Sequence, residues 1–457
     1  MAIDTTHGLL STLFSTPEMD SVFSDAEQVQ QMLRFEWALS AALEDCGIAA
    51  PHSSEPLDAL LETPFLTPER AAQLQTAAGS AGNLAIPFVK LLTAVVAEES
   101  PEAASFVHTG ATSQDVLDTA LVLQMRDAIE LIQSDLKRTL ERCVEFAREH
   151  SGTILAGRTW MQQGPPITLG LKFAGYVAAL SRHEQRLRDA AARAVVLQFG
   201  GAVGTLASLR ENGLKVSAAV AKRLELPEPS LPWHGHRDNL GEVAAVLGLL
   251  TGTLGKMARD ISLEMQTEIG ELFEPAGEGR GGSSTMPHKR NPVGCAVVLA
   301  AALRVPPLVA TMIAAMPQEH ERGLGGWHAE WATLPEIFRL TAGALRQMRQ
   351  IVDGLEVDAA RMIANVQMTQ GLVLAESVGA ALAEHTGRLA AHRIVEDASR
   401  KALAEKRPLE SVLAEMPSVT VHLSPDVLHQ LLNAADYLGS TQEMIARTLK
   451  SLEKAGG

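Results

Sequence analysis

The segment "GGSSTMPHKRNP", residues 281 to 292, puts two glycines, two serine hydroxyls and three potential cations into twelve positions. Gly281 and Gly282 permit movement, and Ser283 and Ser284 offer hydroxyls. His288, Lys289 and Arg290 bring positive charge, and Asn291 adds an amide before Pro292. Such a set suits proton transfer beside an anion, because cations stabilise negative charge as it develops. Two other polar segments carry comparable groups. "HTGATSQD", 108 to 115, places His108, Thr112 and Ser113 just ahead of a long helical pattern. There, free backbone N–H groups and the helix dipole favour an anion, and Asp115 can cap the helix. "GRTWMQQGPPIT", 157 to 168, offers the donor fork of Arg158 to a carboxylate, with Thr159, Gln162, Gln163 and Thr168 as neutral donors. Taken singly, each segment also reads as a plain capped turn or polar loop.

Long helices must position these segments. Asp115 to His150 runs 36 residues without Gly or Pro, which as a helix reaches about 54 Å at 1.5 Å per residue. Pro165–Pro166 reads as the first turn of a second helix, to about Leu197. A third spans roughly Asn239 to Phe273, apolar on nearly all sides in its first half. The stretch 292 to 316 continues the pattern, with a break expected at Pro306–Pro307. Period-two alternation is scarce and aromatic residues are 4% of the chain, so a sheet protein is not expected. The fold class is all-α, with a central long-helix bundle. The divisions fall at 1 to about 105, 106 to 352 and 353 to 457. Apolar surface all round the third helix implies that further subunits cover part of it.

The 457-residue chain carries a formal net charge of −15, with 46% apolar residues. That composition is globular, and its charge argues against nucleic acid or an anionic membrane as a partner. Cys46, Cys143 and Cys295 are far apart and form neither a disulfide framework nor a zinc spacing, which suggests buried thiols in a reducing, cytoplasmic setting. The N-terminus has no basic run of the signal-peptide kind. The histidines of "HGH", 234 to 236, and of "EHER", 319 to 322, lack metal-site spacing, so no metal is expected.

"GGSSTMPHKRNP" resembles the GSSxMPxKxNP signature of the fumarase/aspartase superfamily. "HTGATSQDVLDT" and "GRTWMQQGPPIT" are similar to that family's first two active-site segments, and the likeness covers nearly the whole chain. "VLQFGGAVGTLASL", "DISLEMQTEIGE" and "MPQEHERGLGGWHAEWATLPE" look like its lactone-forming, cycloisomerase branch. The resemblance implies a homotetramer in which three chains build each site. It implies a small polycarboxylate substrate, no cofactor, and addition or elimination through an aci-carboxylate. It assigns catalytic roles to Ser283, His108 and Lys289. Thr112, Ser113, Arg158, Thr159, Trp160, Gln162 and Asn291 are implied to bind substrate. Trp160 stands where most of the family's lyases have a His. That His assists a leaving group that needs a proton, whereas a carboxylate, with a pKa of about 4, needs none. The departure fits ring closure by a carboxylate. A carboxymuconate, a sulfomuconate, and release of fumarate by an adenylosuccinate- or argininosuccinate-type lyase stand as readings of the reaction. A structural, non-catalytic use of the fold is weighed against by the retention of Ser283, Lys289, Asn291 and His108.

Overall fold

A computed structural model describes residues 10–277, 281–282, 286 and 288–455. The described chain is helical, with four short strands. The elements that matter here are helices α1 (Asp25–Asp45), α2 (Ser113–Glu149), α3 (Leu169–Ala194), α4 (Asp238–Glu264), α5 (Val293–Ala315), α6 (Gly326–Asp353) and α7 (Ala359–Gln367). Strands β1 (Ile154–Thr159) and β2 (Gln162–Thr168) form one antiparallel pair, and β3 (Leu272–Phe273) and β4 (Glu356–Val357) another. The all-α expectation holds.

The chain divides into two compact units. One comprises residues up to 136, 183–255 and 297–347; the other comprises 137–182, 256–296 and 348 onward. In the first unit, α1 buries Val29, Met32, Leu33, Phe35 and Leu39, a helical stripe. Phe35 meets Phe199 edge to face at 6.1 Å. In the second unit, Phe146 stacks on Phe173 at 4.8 Å. Residues 378 to 428 build a separate apolar cluster around Val378, Leu382, Leu409 and Leu413.

α2 fulfils the expected long helix almost residue for residue. Asp115, in its first turn, reaches back to accept the backbone N–H of Thr112 at 3.0 Å, half of a capping box.

Four expectations need correction. Pro165 and Pro166 lie in β2, not in a helix. The hairpin has two strands only, so a residue without an N–H is tolerated there. Thr168 then caps α3 by accepting the Leu171 N–H at 3.1 Å. The third helix stops at Glu264 rather than Phe273, and the chain turns through Gly270 at φ +61° into β3. α5 runs unbroken through Pro306 and Pro307. Both prolines are exposed, so water reaches the carbonyls that lose their donors. Finally, Cys143 and Cys295 are buried but Cys46 is only partly so. None of the three forms a disulfide.

Two helices, α4 and α5, are long and apolar enough to cross a membrane by length and composition. The apolar window of α4 is 61% buried inside the protein and that of α5 is 28% buried.

Candidate active site

The first polar segment turns into α2 with its side chains already engaged. Asp115 is fully buried and serves as a hub. Its carboxylate accepts the backbone N–H groups of Thr112, Gly200 and Gly201, the Nε2 of His234 at 2.7 Å and the Gln198 amide. Five partners around one carboxylate tie the turn to residues 198–201 and to His234. Arg322 lies across the same turn. Its guanidinium donates to the Thr112 hydroxyl at 2.7 Å, the Ser113 hydroxyl at 3.0 Å and the Gln114 carbonyl oxygen at 3.3 Å. His108, Thr112 and Ser113 share a cavity of about 380 Å³ with Ala85, Ile86, Val89 and Ala111. The structure thus brings together three residues predicted from sequence, on one cavity, beside a guanidinium.

His108 has a left-handed backbone, φ +63°, which His adopts more readily than most residues. Its ring Nδ1 lies 2.7 Å from Oε1 of Glu36, and its backbone N–H donates to Oε2 at 2.9 Å. Burial disfavours the imidazolium, but the Glu36 charge and hydrogen bond, with Asp115 behind, raise the His108 pKa above its ordinary value.

Beneath this turn, Arg237 forms a buried ion network. It donates to both oxygens of Asp118, at 2.6 and 3.0 Å, and to both oxygens of Glu330. Trp327 donates to Asp118 at 3.0 Å, and the guanidinium covers the Trp233 ring at 4.8 Å. Burial opposes the Arg237 charge, yet the two carboxylates hold its pKa above the usual arginine value.

In the other unit, the second segment is the β1–β2 hairpin. Gly157 fits because a Cβ there would come within 2.6 Å of the Pro165 carbonyl oxygen. Trp160 and Met161 form the two-residue turn, at φ +52° and +64°, positions that usually take Asn or Gly. Trp160 is 97% exposed. Thr159 and Gln162 face each other across the register and are exposed. Arg158 directs its fork at Glu271, with 2.6 and 2.8 Å contacts. Glu271 is fully buried and also accepts the Asn365 amide of α7 at 2.7 Å.

The third segment is anchored at both ends. The Asn291 N–H donates to the Gly281 carbonyl at 2.8 Å, and Gly281 takes φ +66° where a Cβ would meet the Asn291 oxygen at 2.8 Å. Arg290 is spent on structure. It pairs bidentately with Glu356, donates to the Glu274 carbonyl and covers the Phe273 ring. Glu274 in turn accepts the N–H groups of Gly294 and Cys295, at 3.0 and 2.7 Å, where α5 begins. Lys289 and His288 are exposed and Asn291 is partly buried. Ser283 and Ser284 lie outside the described residues. Among the described residues, no cluster of three His, Cys, Asp or Glu could hold a metal ion.

Residues 18–306 match the family model described as "Lyase". The chain belongs to the lyase family. Its residues 371–448 match the model described as "Adenylosuccinate lyase C-terminus". Among lyase-family relatives, the Pseudomonas aeruginosa protein "3-carboxy-cis,cis-muconate cycloisomerase" is 52% identical over 96% of this chain and 95% of that one. The protein of the same name from Bradyrhizobium diazoefficiens is 48% identical over 98% of each. The crystal structure of 3-carboxy-cis,cis-muconate lactonizing enzyme from Pseudomonas putida matches with a TM-score of 0.93 and 48% identity, over 99% of this chain and 100% of that one.

Sequence reasoning missed Glu36, Asp118, Arg237, Glu271 and Arg322 in this lyase-family chain. Glu36 carried a signal. In "QMLRFEWALSAAL" it stands between Met32–Leu33 and Leu39 at helical spacing, so it is a carboxylate on the apolar stripe of α1. A charge there requires a buried partner. Arg322 carried none, since its partners lie about 210 positions away in the chain.

Proposed function

We propose that the protein is a 3-carboxy-cis,cis-muconate cycloisomerase, which closes a carboxylated diene to a lactone. The observation that carries this reading is the near end-to-end likeness to lyase-family relatives of that name. In the reaction, a substrate carboxylate oxygen bonds to a carbon of the conjugated double bond. The displaced electron pair moves onto a second carboxylate and forms an aci-carboxylate. A proton then joins the adjacent carbon, so one carboxylate and one proton are consumed per ring closed.

Each residue then has a task. Ser283 delivers the proton to carbon, helped by neighbouring cations that favour its alkoxide. Lys289 and Asn291 hold the carboxylate on which charge develops. Thr112 and Ser113, oriented by Arg322, bind another carboxylate, and Arg322 adds its own charge to that anchor. Arg158, Thr159, Trp160 and Gln162 present the hairpin face to substrate. His108 hydrogen-bonds substrate and relays a proton. The attacking carboxylate is already the nucleophile, so Trp160 in place of an imidazole acid costs this reaction nothing. The working form is a cytoplasmic homotetramer in which three chains each lend one segment. The apolar exposed side chains Leu303 and Ile313 of α5 favour burial against other copies. All three segments fall within the central of the three divisions drawn from sequence.

Incubation with 3-carboxy-cis,cis-muconate tests the reading. Loss of diene absorbance with a lactone as product is expected, and Ser283→Ala removes most of the turnover while leaving the circular dichroism unchanged. Fumarate release from a succinyl adduct, or faster turnover of the sulfomuconate, would overturn it.

A further inference from the structure

Glu36 has no room to be a surface charge. It is fully buried on α1, and its two carboxylate oxygens are both committed to one residue, His108. One oxygen takes the backbone N–H and fixes where His108 sits. The other meets Nδ1 and fixes how its ring is turned. A carboxylate accepts and does not donate, so the ring must keep its proton on Nδ1. That leaves Nε2 as the basic nitrogen of the neutral ring. The ring borders the 380 Å³ cavity with the hydroxyls of Thr112 and Ser113. The other charges around it are Asp115 on α2 and Arg322, which acts through those two hydroxyls.

We propose that Glu36 is a positioning residue, which holds His108 in the Nδ1–H tautomer with Nε2 free to accept from, or donate to, the substrate in that cavity. The proposal rests on the cycloisomerase reading for what the substrate is, but the tautomer follows from Glu36 alone. A carboxylate pair of this kind orients an imidazole and stabilises its cation without touching substrate.

The test is Glu36→Gln, with Glu36→Asp beside it. A glutamine offers one acceptor oxygen where His108 presents two donors, so the ring loses its tautomer or its place. Hydrogen–deuterium exchange at the imidazole C2 position, read by mass spectrometry, gives the His108 pKa in the intact protein. In Glu36→Gln that pKa is expected to fall by about one unit. On 3-carboxy-cis,cis-muconate, kcat is expected to fall roughly tenfold with KM little changed. Glu36→Asp keeps the charge and is expected to recover part of both; it also carries the measurement if the glutamine variant does not fold. An unmoved His108 pKa in the variants overturns the proposal, and so does a moved pKa with wild-type kcat. If the wild-type protein were inert towards the muconate while the pKa shift appeared, the cycloisomerase reading would have failed and the Glu36–His108 tautomer would stand.

Discussion

Arg158 and Glu271 meet fork to fork, at 2.6 and 2.8 Å, with Glu271 wholly removed from solvent. The pair ties down the hairpin two residues before the tip that carries Trp160. Replacing Arg158 by Lys keeps the charge and removes the bidentate geometry. We expect a KM increase of roughly tenfold, a smaller change in kcat, and a stability loss of about 1–2 kcal/mol in urea unfolding. Glu271→Ala strands a partly buried guanidinium and the Asn365 amide, and is expected to cost about 2–4 kcal/mol. Equal, negligible losses for both variants would show the pair to be dispensable.

The Arg237 network makes a sharper stability prediction. Arg237→Met leaves Asp118 and Glu330 buried without their counter-charge, and the expected cost is about 3–5 kcal/mol. Replacing Glu330 by Gln in the same chain removes one of the stranded charges, so the double variant is expected to be more stable than Arg237→Met alone. Denaturant midpoints for the three proteins decide this. A double variant weaker than either single one would contradict the account.

The long helices were legible because their signal is local. The run from Asp115 to His150 lacks breakers, and α2 follows it closely. The hairpin was not legible, because Pro165–Pro166 signals a helix start just as well, and only pairing with Ala156 and its neighbours reveals a strand. The same division runs through the site. His108, Thr112 and Ser113 stood out as polar groups ahead of a helix. The groups that hold them, Glu36 and Arg322, lie 72 and about 210 positions away. Glu36 at least sits on the apolar stripe of α1, but burial of Glu271 is a property of packing, which no window of sequence contains. The cations of the third segment looked alike, yet Arg290 is engaged with Glu356 while Lys289 remains exposed.

His108 ties stability to pH. Its pKa in the folded protein lies above the ordinary value of 6.5. The folded state therefore binds the proton more tightly than the unfolded chain does. The stabilisation is complete below the unfolded pKa of about 6.5 and is lost as pH rises through the folded pKa. Wild-type stability is expected to decline over that interval relative to His108→Asn, whose profile lacks this step. Parallel profiles for the two proteins between about pH 6 and 8 would rule the linkage out.

Trp160 allows the chemistry and the fold to be separated. At φ +52° and 97% exposure it contributes little to its own unit, and His tolerates that backbone better than an indole does. Trp160→His is thus expected to leave the melting temperature of the fold unchanged or slightly higher. It also restores an imidazole where most lyases of the family have one. If the attacking group is a carboxylate that needs no proton removed, the new imidazole has nothing to do, and lactone formation gains nothing. Steady-state rates on 3-carboxy-cis,cis-muconate compare the two proteins directly. A large rise in kcat for Trp160→His would mean that a proton is being moved at this position, and the role given to the carboxylate would have to be abandoned.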